Sequence, residues 1–479
     1  MAFKEKSFSA CTSVLVGKKA SIDGSIMIAR NEDAKTAWPK HFKVYPHVEH
    51  NNKQLFISPD NGFSMELPQT SGRYTATPEW TNEYGIFAED GFNEYGVAMS
   101  ATESAYANER VLGVDPLIST GIGEEAMITV TLPYIHSARE GVKYLGQIVE
   151  EKGASESNGI LFADQSEAWY MEIATGHHWV AQRIPDDSYA VVANQLAIQE
   201  IDFTDKNNFL HSTGIVDFVS INKLNPATDS FNFRKIFGTQ DLSDEIYSTP
   251  RVWYGQKYLN PEIIQEPMSE ELPFIRKANR LISREDVEFI LGSHFQGTEY
   301  DPIGQGLTDL KHKFRPISLA KTQESHILQI RPSLPTEIAG IQWLAMGVTA
   351  QSLFVPFYAT INDTPESYKK GEATYSADSA YWKYKLLGIL VDSNYLEFGP
   401  KLKAMQKEVR IELNRRVHEI DKLLQEDINL TPENKVEIIT KKSNENAFYA
   451  IKKVEELTAQ LITEATAFSP LDFKTDANL

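Results

Sequence analysis

Over roughly the first three quarters of the chain, apolar residues come in short runs separated by turn residues; over the last quarter they recur at helical spacing. Val14, Leu15 and Val16, the turn "KKASIDGS", and then Ile26, Met27 and Ile28 predict a hairpin in which the two apolar triplets face each other. Antiparallel partners run back past each other, so the start of the first strand, Cys11, is expected beside the end of the second, Arg30 and Asp33. Further strands are expected at "HFKVYP", "LFIS", "RYTATPEW" and "YGVAMSAT". The segment "SAREGVKYLGQIVEEKG" predicts a helix opened by a capping box of Ser137 and Glu140, with Val142, Leu145, Ile148 and Val149 on its buried face. The runs "GILFAD", "AWYMEIA", "HWVAQRI" and "YAVVAN" then predict a four-stranded antiparallel meander.

From about Ile201 to Gln305 the pattern is loop-rich, with a short helix capped by Ser283 that turns Val287, Ile290 and Leu291 inward. Strand patterns return at "HILQIRP", "AGIQWLAMG" and "SLFVPFYA". From about Ser376 the composition becomes rich in Lys, Glu and Leu, predicting three helices. The expected organisation is an α+β body over 11–375 and a helical region over 376–479 packed on it, with no internal repeat, low-complexity tract or clear linker.

Composition narrows the function classes. The 479 residues are 42% hydrophobic and 24% charged, and no run approaches the roughly 18 apolar residues of a membrane span, which predicts a globular protein. The net charge of -19 is spread along the chain and no basic stripe occurs, so neither nucleic acid nor an anionic membrane is an expected partner. One cysteine makes no internal disulfide, and the charged opening "MAFKEKS" is unlike a secretory signal. The expected location is the cytoplasm, and self-association into a homo-oligomer is left open.

There is no P-loop, HExxH, dinucleotide fingerprint or GxSxG elbow, and the eleven histidines are scattered. No metal or cofactor is expected. What remains is Cys11. A lone cysteine is more often an inert buried hydrophobe than a nucleophile, but this one opens a strand whose partner ends in Arg30, a fixed positive charge able to favour thiolate, and Asp33, able to orient an ammonium ion. No histidine is obviously placed to serve as its base. Cleavage between Ala10 and Cys11 would supply one: an α-amino group of pKa about 7.7 to 8.0 on the nucleophile's own residue. Residues 1–10 would then be a removable propeptide. Against this, Arg30 and Asp33 also fit a surface ion pair, and Asn194 a turn residue after a strand.

The stretches "CTSVLVGKKASIDGSIMIARNED", "EWTNEYGIFAEDGFNEYGVAMSATES", "MEIATGHHWVAQRIPDDSYAVVANQ", "TPRVWYGQKY" and "QESHILQIRP" resemble the dipeptidases of peptidase family C69, over Ala10 to roughly Ala359 and more loosely beyond. The resemblance implies a four-layer αββα N-terminal-nucleophile hydrolase fold, dipeptide substrates, and Cys11 as nucleophile and, through its freed amine, base. It implies that Arg30 and Asp33 orient that nucleophile, that Asn194 contributes to the oxyanion site, and that Arg251 is a second active-site arginine. Where related choloylglycine hydrolases carry another oxyanion asparagine, this chain reads "SATES"; a backbone N–H or Thr102 is then the candidate donor, and Glu103 is a candidate partner for the substrate ammonium. The competing expectations are an N-acyl amide hydrolase of bile-salt or penicillin V type and a non-catalytic binding or scaffold protein.

Overall fold

Strands β1 (Thr12–Val16) and β2 (Ile26–Asp33) form the expected hairpin, one residue out of the expected register: Val14 lies opposite Ala29, Leu15 opposite Ile28 and Val16 opposite Met27. In the intervening loop the Asp23 carboxylate accepts from the Ser25 N–H at 3.0 Å, a tight Asx turn that sets the return strand back. The structure, a computed structural model, describes residues 11–426 and 430–471. The expected propeptide, 1–10, lies outside the described residues.

Two sheets, all antiparallel, dominate. After the hairpin come β3 (Asp90–Phe92), β4 (Ala98–Ser104), β5 (Asn158–Ala163), β6 (Ala168–Ile173), β7 (Trp179–Ile184), β8 (Tyr189–Val192), β9 (Phe209–His211), β10 (Ile275–Arg276), β11 (Thr322–Ile330), β12 (Gly340–Met346) and β13 (Val355–Tyr358). One sheet has the order β10-β8-β1-β2-β11-β12-β13, the other β9-β7-β6-β5-β4-β3. The expected meander therefore holds for three strands only. The fourth, β8, crosses to the other sheet and pairs with β1, Ser13 opposite Val192. The strands expected near residues 43, 55 and 74 form two-stranded ribbons outside both sheets.

Alternation along each strand decides what lies between the sheets. Leu15, Ile26, Ile28 and Leu328 point inward and pack on Leu161, Tyr170 and Val180 of the opposite sheet. Val14, Val16, Met27, Ala29 and Ile327 point the other way, into a core shared with helices α3 (Thr249–Leu259) and α4 (Arg284–Leu291) and with α5 (Ala380–Ser393), α6 (Tyr395–Glu426) and α7 (Pro432–Ala465). On the far face of the second sheet, Met99, Ile160 and Trp169 pack under α1 (Glu124–Thr131) and α2 (Ala138–Lys152). The described chain is thus a mixed helix-and-sheet fold in which two sheets face each other with helices outside both. Burying each such side chain contributes roughly 1.5–3 kcal/mol.

Ser137 caps α2 by accepting from the Glu140 N–H, but the capping box does not close. The Glu140 carboxylate reaches one residue further back, to the His136 N–H at 2.7 Å. Around α4 the box is complete, between Ser283 and Asp286. On α6 the residues Leu402, Met405, Val409, Leu413, Val417, Ile420 and Leu424 form one buried stripe at spacings of three and four, so the C-terminal helices share the core of the first sheet. Among the described residues no helix is long and apolar enough to cross a membrane.

Gly17 ends β1 where the turn before β8 folds over it. Its N–H donates to Ser188 O at 2.9 Å, and Lys19 N–H to Asp186 O at 2.7 Å. A Cβ on Gly17 would lie 2.3 Å from Pro185 O and 2.5 Å from Asp186 O, both main-chain atoms. Gly17→Ala is therefore expected to destabilise the fold by about 1–3 kcal/mol, measured as a lowered urea midpoint; an unchanged midpoint would show that the turn does not constrain β1.

Candidate active site

The same alternation that builds the apolar layer builds a polar one further along the strands. On β1 the inward positions run from Leu15 through Ser13 to Cys11; on β2 from Ile28 through Arg30 to Glu32; on β11 from Leu328 through His326 to Glu324. Every one of these polar side chains is buried. The opposite sheet answers with Ser100 and Glu103 on β4. Glu103 reaches the inter-sheet space through a bulge: Ala101 pairs with Ile160 and Glu103 with the adjacent Gly159, leaving Thr102 as the extra residue. Under strict alternation, with no bulge, Glu103 would share the outward face of Met99 and Ala101.

Arg30 sits at the centre. Its Nη1 donates to Cys11 Sγ at 3.1 Å and to Thr102 O at 2.8 Å. Nη2 donates to Glu89 Oε2 at 2.6 Å, Glu89 O at 3.0 Å and Ala101 O at 2.9 Å, and Nε donates to Ser100 Oγ at 2.9 Å. Burial pushes the Cys11 thiol well above its ordinary pKa, Arg30 opposes that rise, and the Glu103 and Glu124 carboxylates add to it. Behind Arg30, Lys40 Nζ lies 3.0 Å from Glu32 and 3.3 Å from Glu89. Arg30 is therefore no surface ion-pair residue, and its carboxylate partner is Glu89 rather than Asp33.

The main chain of Cys11 is held from the helix side. Arg251, fully buried on α3, donates through Nη1 to Cys11 O and, at 2.9 Å, to Thr12 Oγ1. Its Nη2 donates to Asn194 Oδ1 at 2.7 Å, and Asn194 Nδ2 donates to Ser104 O at 2.9 Å. Asn194 follows β8 as expected and is built into this array. Asp33, one position past Glu32 and so on the opposite face, binds Arg315 and the hydroxyl of Thr322, and makes no hydrogen bond to the Cys11 side chain. A second bulge, at Gln323, brings Thr322 opposite Asp33.

Glu103 Oε2 accepts from Ser13 Oγ at 2.5 Å, while Oε1 is buried without a hydrogen-bond partner. Burial pushes Glu103 up to about 7, against the opposing pull of Arg251 and of the Ser13 hydroxyl. The Thr102 hydroxyl is buried beside the Glu124 carboxyl, and its carbonyl is taken by Arg30. Next to this array lies a cavity of about 600 Å³, lined in part by Tyr106, Asn194, Asp244, Tyr247, Ser248 and Lys321.

The structure thus brings Cys11, Arg30, Thr102, Glu103, Asn194 and Arg251 into one connected array, with Asp33 at its edge. Sequence reasoning missed Ser13, Glu89, Ser100, Arg315, Glu324 and His326. A signal for the last two was present: "TQESH" places five polar residues in a run that continues as the apolar "ILQI". That pattern fits a strand of which one half enters a polar interior.

The chain is similar to known peptidases over nearly its whole length. The profile of peptidase family C69 matches residues 10–408. A probable dipeptidase of Latilactobacillus sakei is 49% identical over 472 residues, covering 98% of each chain. A probable dipeptidase B of Lactococcus lactis subsp. lactis is 41% identical over 471 residues, 97% of each chain. Dipeptidase A of Lactobacillus helveticus is 38% identical over 469 residues, 97% of this chain and 98% of that one. The chain belongs to peptidase family C69.

Proposed function

We propose that this peptidase is a dipeptidase whose nucleophile is Cys11, made N-terminal by loss of residues 1–10, acting within a four-layer αββα N-terminal-nucleophile hydrolase fold formed by 11–375 and buttressed by the helical region 376–479. The observation that carries the reading is the double grip on Cys11: Arg30 on its sulfur at 3.1 Å and Arg251 on its carbonyl oxygen. In this mechanism the freed α-amine takes the thiol proton and the thiolate attacks the scissile carbonyl, forming a thioester as the amine of the second residue leaves with that proton. Water then attacks the thioester with the same amine as base, releasing the first amino acid and the thiol. Asn194 Nδ2 has one hydrogen on Ser104 O and offers its second to the oxyanion, with the main-chain N–H or hydroxyl of Thr102 as the other donor. The chemistry calls on no metal or organic cofactor. The negative charge spread along the chain fits an enzyme acting on small peptides rather than on nucleic acid or an anionic membrane, and a cytoplasmic location is part of the same proposal.

The cavity beside Asn194 is the space assigned to the substrate. A dipeptide carries two opposite charges, which two residues match: the Glu103 carboxylate for the ammonium and Lys321, on the cavity wall, for the free carboxylate. Both ends being held is what excludes longer chains.

Four sets of measurements check this reading. Intact-mass analysis of active enzyme is expected to find a chain starting at Cys11, and Cys11→Ser is expected to lose at least about a hundredfold in kcat against dipeptides; full activity in a chain that retains Ala10 sinks the free-amine mechanism. In a panel of dipeptides and N-acyl amides, the dipeptides are turned over. Because Glu103 is neutral below its pKa of about 7 and charged above it, KM for dipeptides should fall as pH rises through that value, and Glu103→Gln should abolish the fall; a pH trend that survives in Glu103→Gln rules the residue out. Finally, Lys321→Met should raise KM for a dipeptide about tenfold yet leave a C-terminally amidated dipeptide unaffected, and equal effects on both would refute the carboxylate assignment.

A further inference from the structure

Asp90, Glu324 and His326 are fully buried behind Arg30, with one ligand-type atom of each within 4.8 Å of the others, a grouping close enough for a cation. The nearest atoms are engaged by protein groups. Asp90 accepts from the hydroxyl of Thr77 and, at 2.6 Å, from Gln342 Nε2; His326 Nδ1 lies 2.9 Å from Glu324 Oε1, and its Nε2 lies 2.8 Å from Ser100 Oγ. A role for the grouping follows from the direction of these hydrogen bonds.

A guanidinium only donates, so at the 2.9 Å contact Ser100 Oγ must accept from Arg30 Nε–H. On the ring's other side, His326 Nδ1 faces two carboxyl oxygens, Glu324 Oε1 at 2.9 Å and Asp90 Oδ2 at 3.6 Å, and this assigns the proton of the neutral ring to Nδ1. Nε2 is then the unprotonated ring nitrogen, and it accepts the single hydroxyl hydrogen of Ser100 at 2.8 Å. Burial pushes His326 down to about 4, so the ring stays neutral near neutral pH and the direction of the chain persists. Without an acceptor at His326, the Ser100 hydroxyl is free to rotate and turn its lone pair from Arg30. Because the guanidinium is planar, the orientation of Nε–H sets that of Nη1, the donor to Cys11 Sγ.

We propose that Ser100 and His326 form a directed hydrogen-bond chain, running from β4 of one sheet to β11 of the other, that fixes the plane of Arg30 and so the placement of its Nη1 on the Cys11 sulfur; His326 is a positioning residue for the thiol. The proposal rests on the reading of Cys11 as the nucleophile only for its effect on turnover. Its effect on the sulfur is measurable by itself, because Cys11 is the chain's single cysteine and any thiol alkylation reports on it.

The experiment compares Ser100→Ala, His326→Leu, the double variant and His326→Gln, whose amide retains an acceptor and a donor. For each, the rate of carboxamidomethylation by iodoacetamide at pH 7 is read beside kcat and KM for a dipeptide, and folding is checked by thermal unfolding. Ser100→Ala and His326→Leu are each expected to slow alkylation and lower kcat about tenfold, with KM within about twofold. The double variant is expected to be no worse than either single one, and His326→Gln to recover part of the loss. Multiplicative losses in the double variant, or unchanged alkylation in folded single variants, overturn the proposal. Should His326→Leu fail to fold, Ser100→Ala and His326→Gln decide the same question. Alkylation that follows the chain in an enzyme that cleaves no dipeptide would defeat the proposed function and leave this inference standing.

Discussion

A buried guanidinium has nowhere to send its five N–H groups except to the protein, and Arg30 sends them across the gap between two sheets. It starts on β2 of one sheet and donates to Ser100, Ala101 and Thr102 on β4 of the other, and to Glu89 just before β3. The sixth acceptor is Cys11 Sγ. An uncompensated charge in this position costs several kcal/mol, so the strands that supply its acceptors are held where Arg30 needs them. The apolar contacts between Leu15, Ile28 and Leu161 make the sheets stack; Arg30 sets how they stack at the end that matters.

Arg30 is not alone in that interior, and the surrounding charges are balanced. Lys40 is pushed upward by Glu32 and Glu89 despite its burial, so it keeps its proton. Of the carboxyl pair it touches, Glu89 is held down by Lys40 and Arg30, while burial and its neighbour Glu89 push Glu32 up. Burial likewise pushes up Glu324, to about 8, and Asp90, to about 6. Two cations, Arg30 and Lys40, thus lie among these carboxyl groups, and Glu89 is the one that both of them touch. A thiol and these carboxyl groups share one dry layer because its cations are paired and hydrogen-bonded there.

The local parts of this arrangement were legible in the sequence. Alternation in "TSVLV" and "IMIARNED" is enough to predict a hairpin and to bring Cys11 near Arg30, and the three C-terminal helices follow from the spacing of their apolar residues. The register was off by one residue because a side-chain turn at Asp23, not apolar matching, sets the loop. The departure of β8 into the other sheet was invisible because a crossover leaves no mark in a run as ordinary as "YAVV". At the site, the resemblance supplied Asn194 and Arg251, while Glu89 and Ser100 were beyond local reasoning, and the polar run "TQESH" marks His326 without saying what it meets: the three lie 59, 70 and 296 residues from Arg30, and only the folded stack joins them. Glu103 shows the limit most sharply, since strict alternation places it outside, and the one-residue bulge at Thr102 turns it in.

Alternation also explains why Asp33, expected beside the thiol, is instead spent on Arg315 and Thr322. Cys11 and Arg30 share the inter-sheet face, while Thr12 and Asp33 share the helix face, where Arg251 and Arg315 wait. The sulfur of Cys11 is therefore governed by one layer and its main chain by another. For an ordinary cysteine nucleophile this division would have no use, because only the sulfur reacts. In the proposed mechanism, where the sulfur attacks and the same residue's nitrogen carries the proton, the two ends must be positioned independently and within one residue of each other. A strand end sandwiched between a sheet and a helix layer offers that geometry, since successive positions along it alternate between the two.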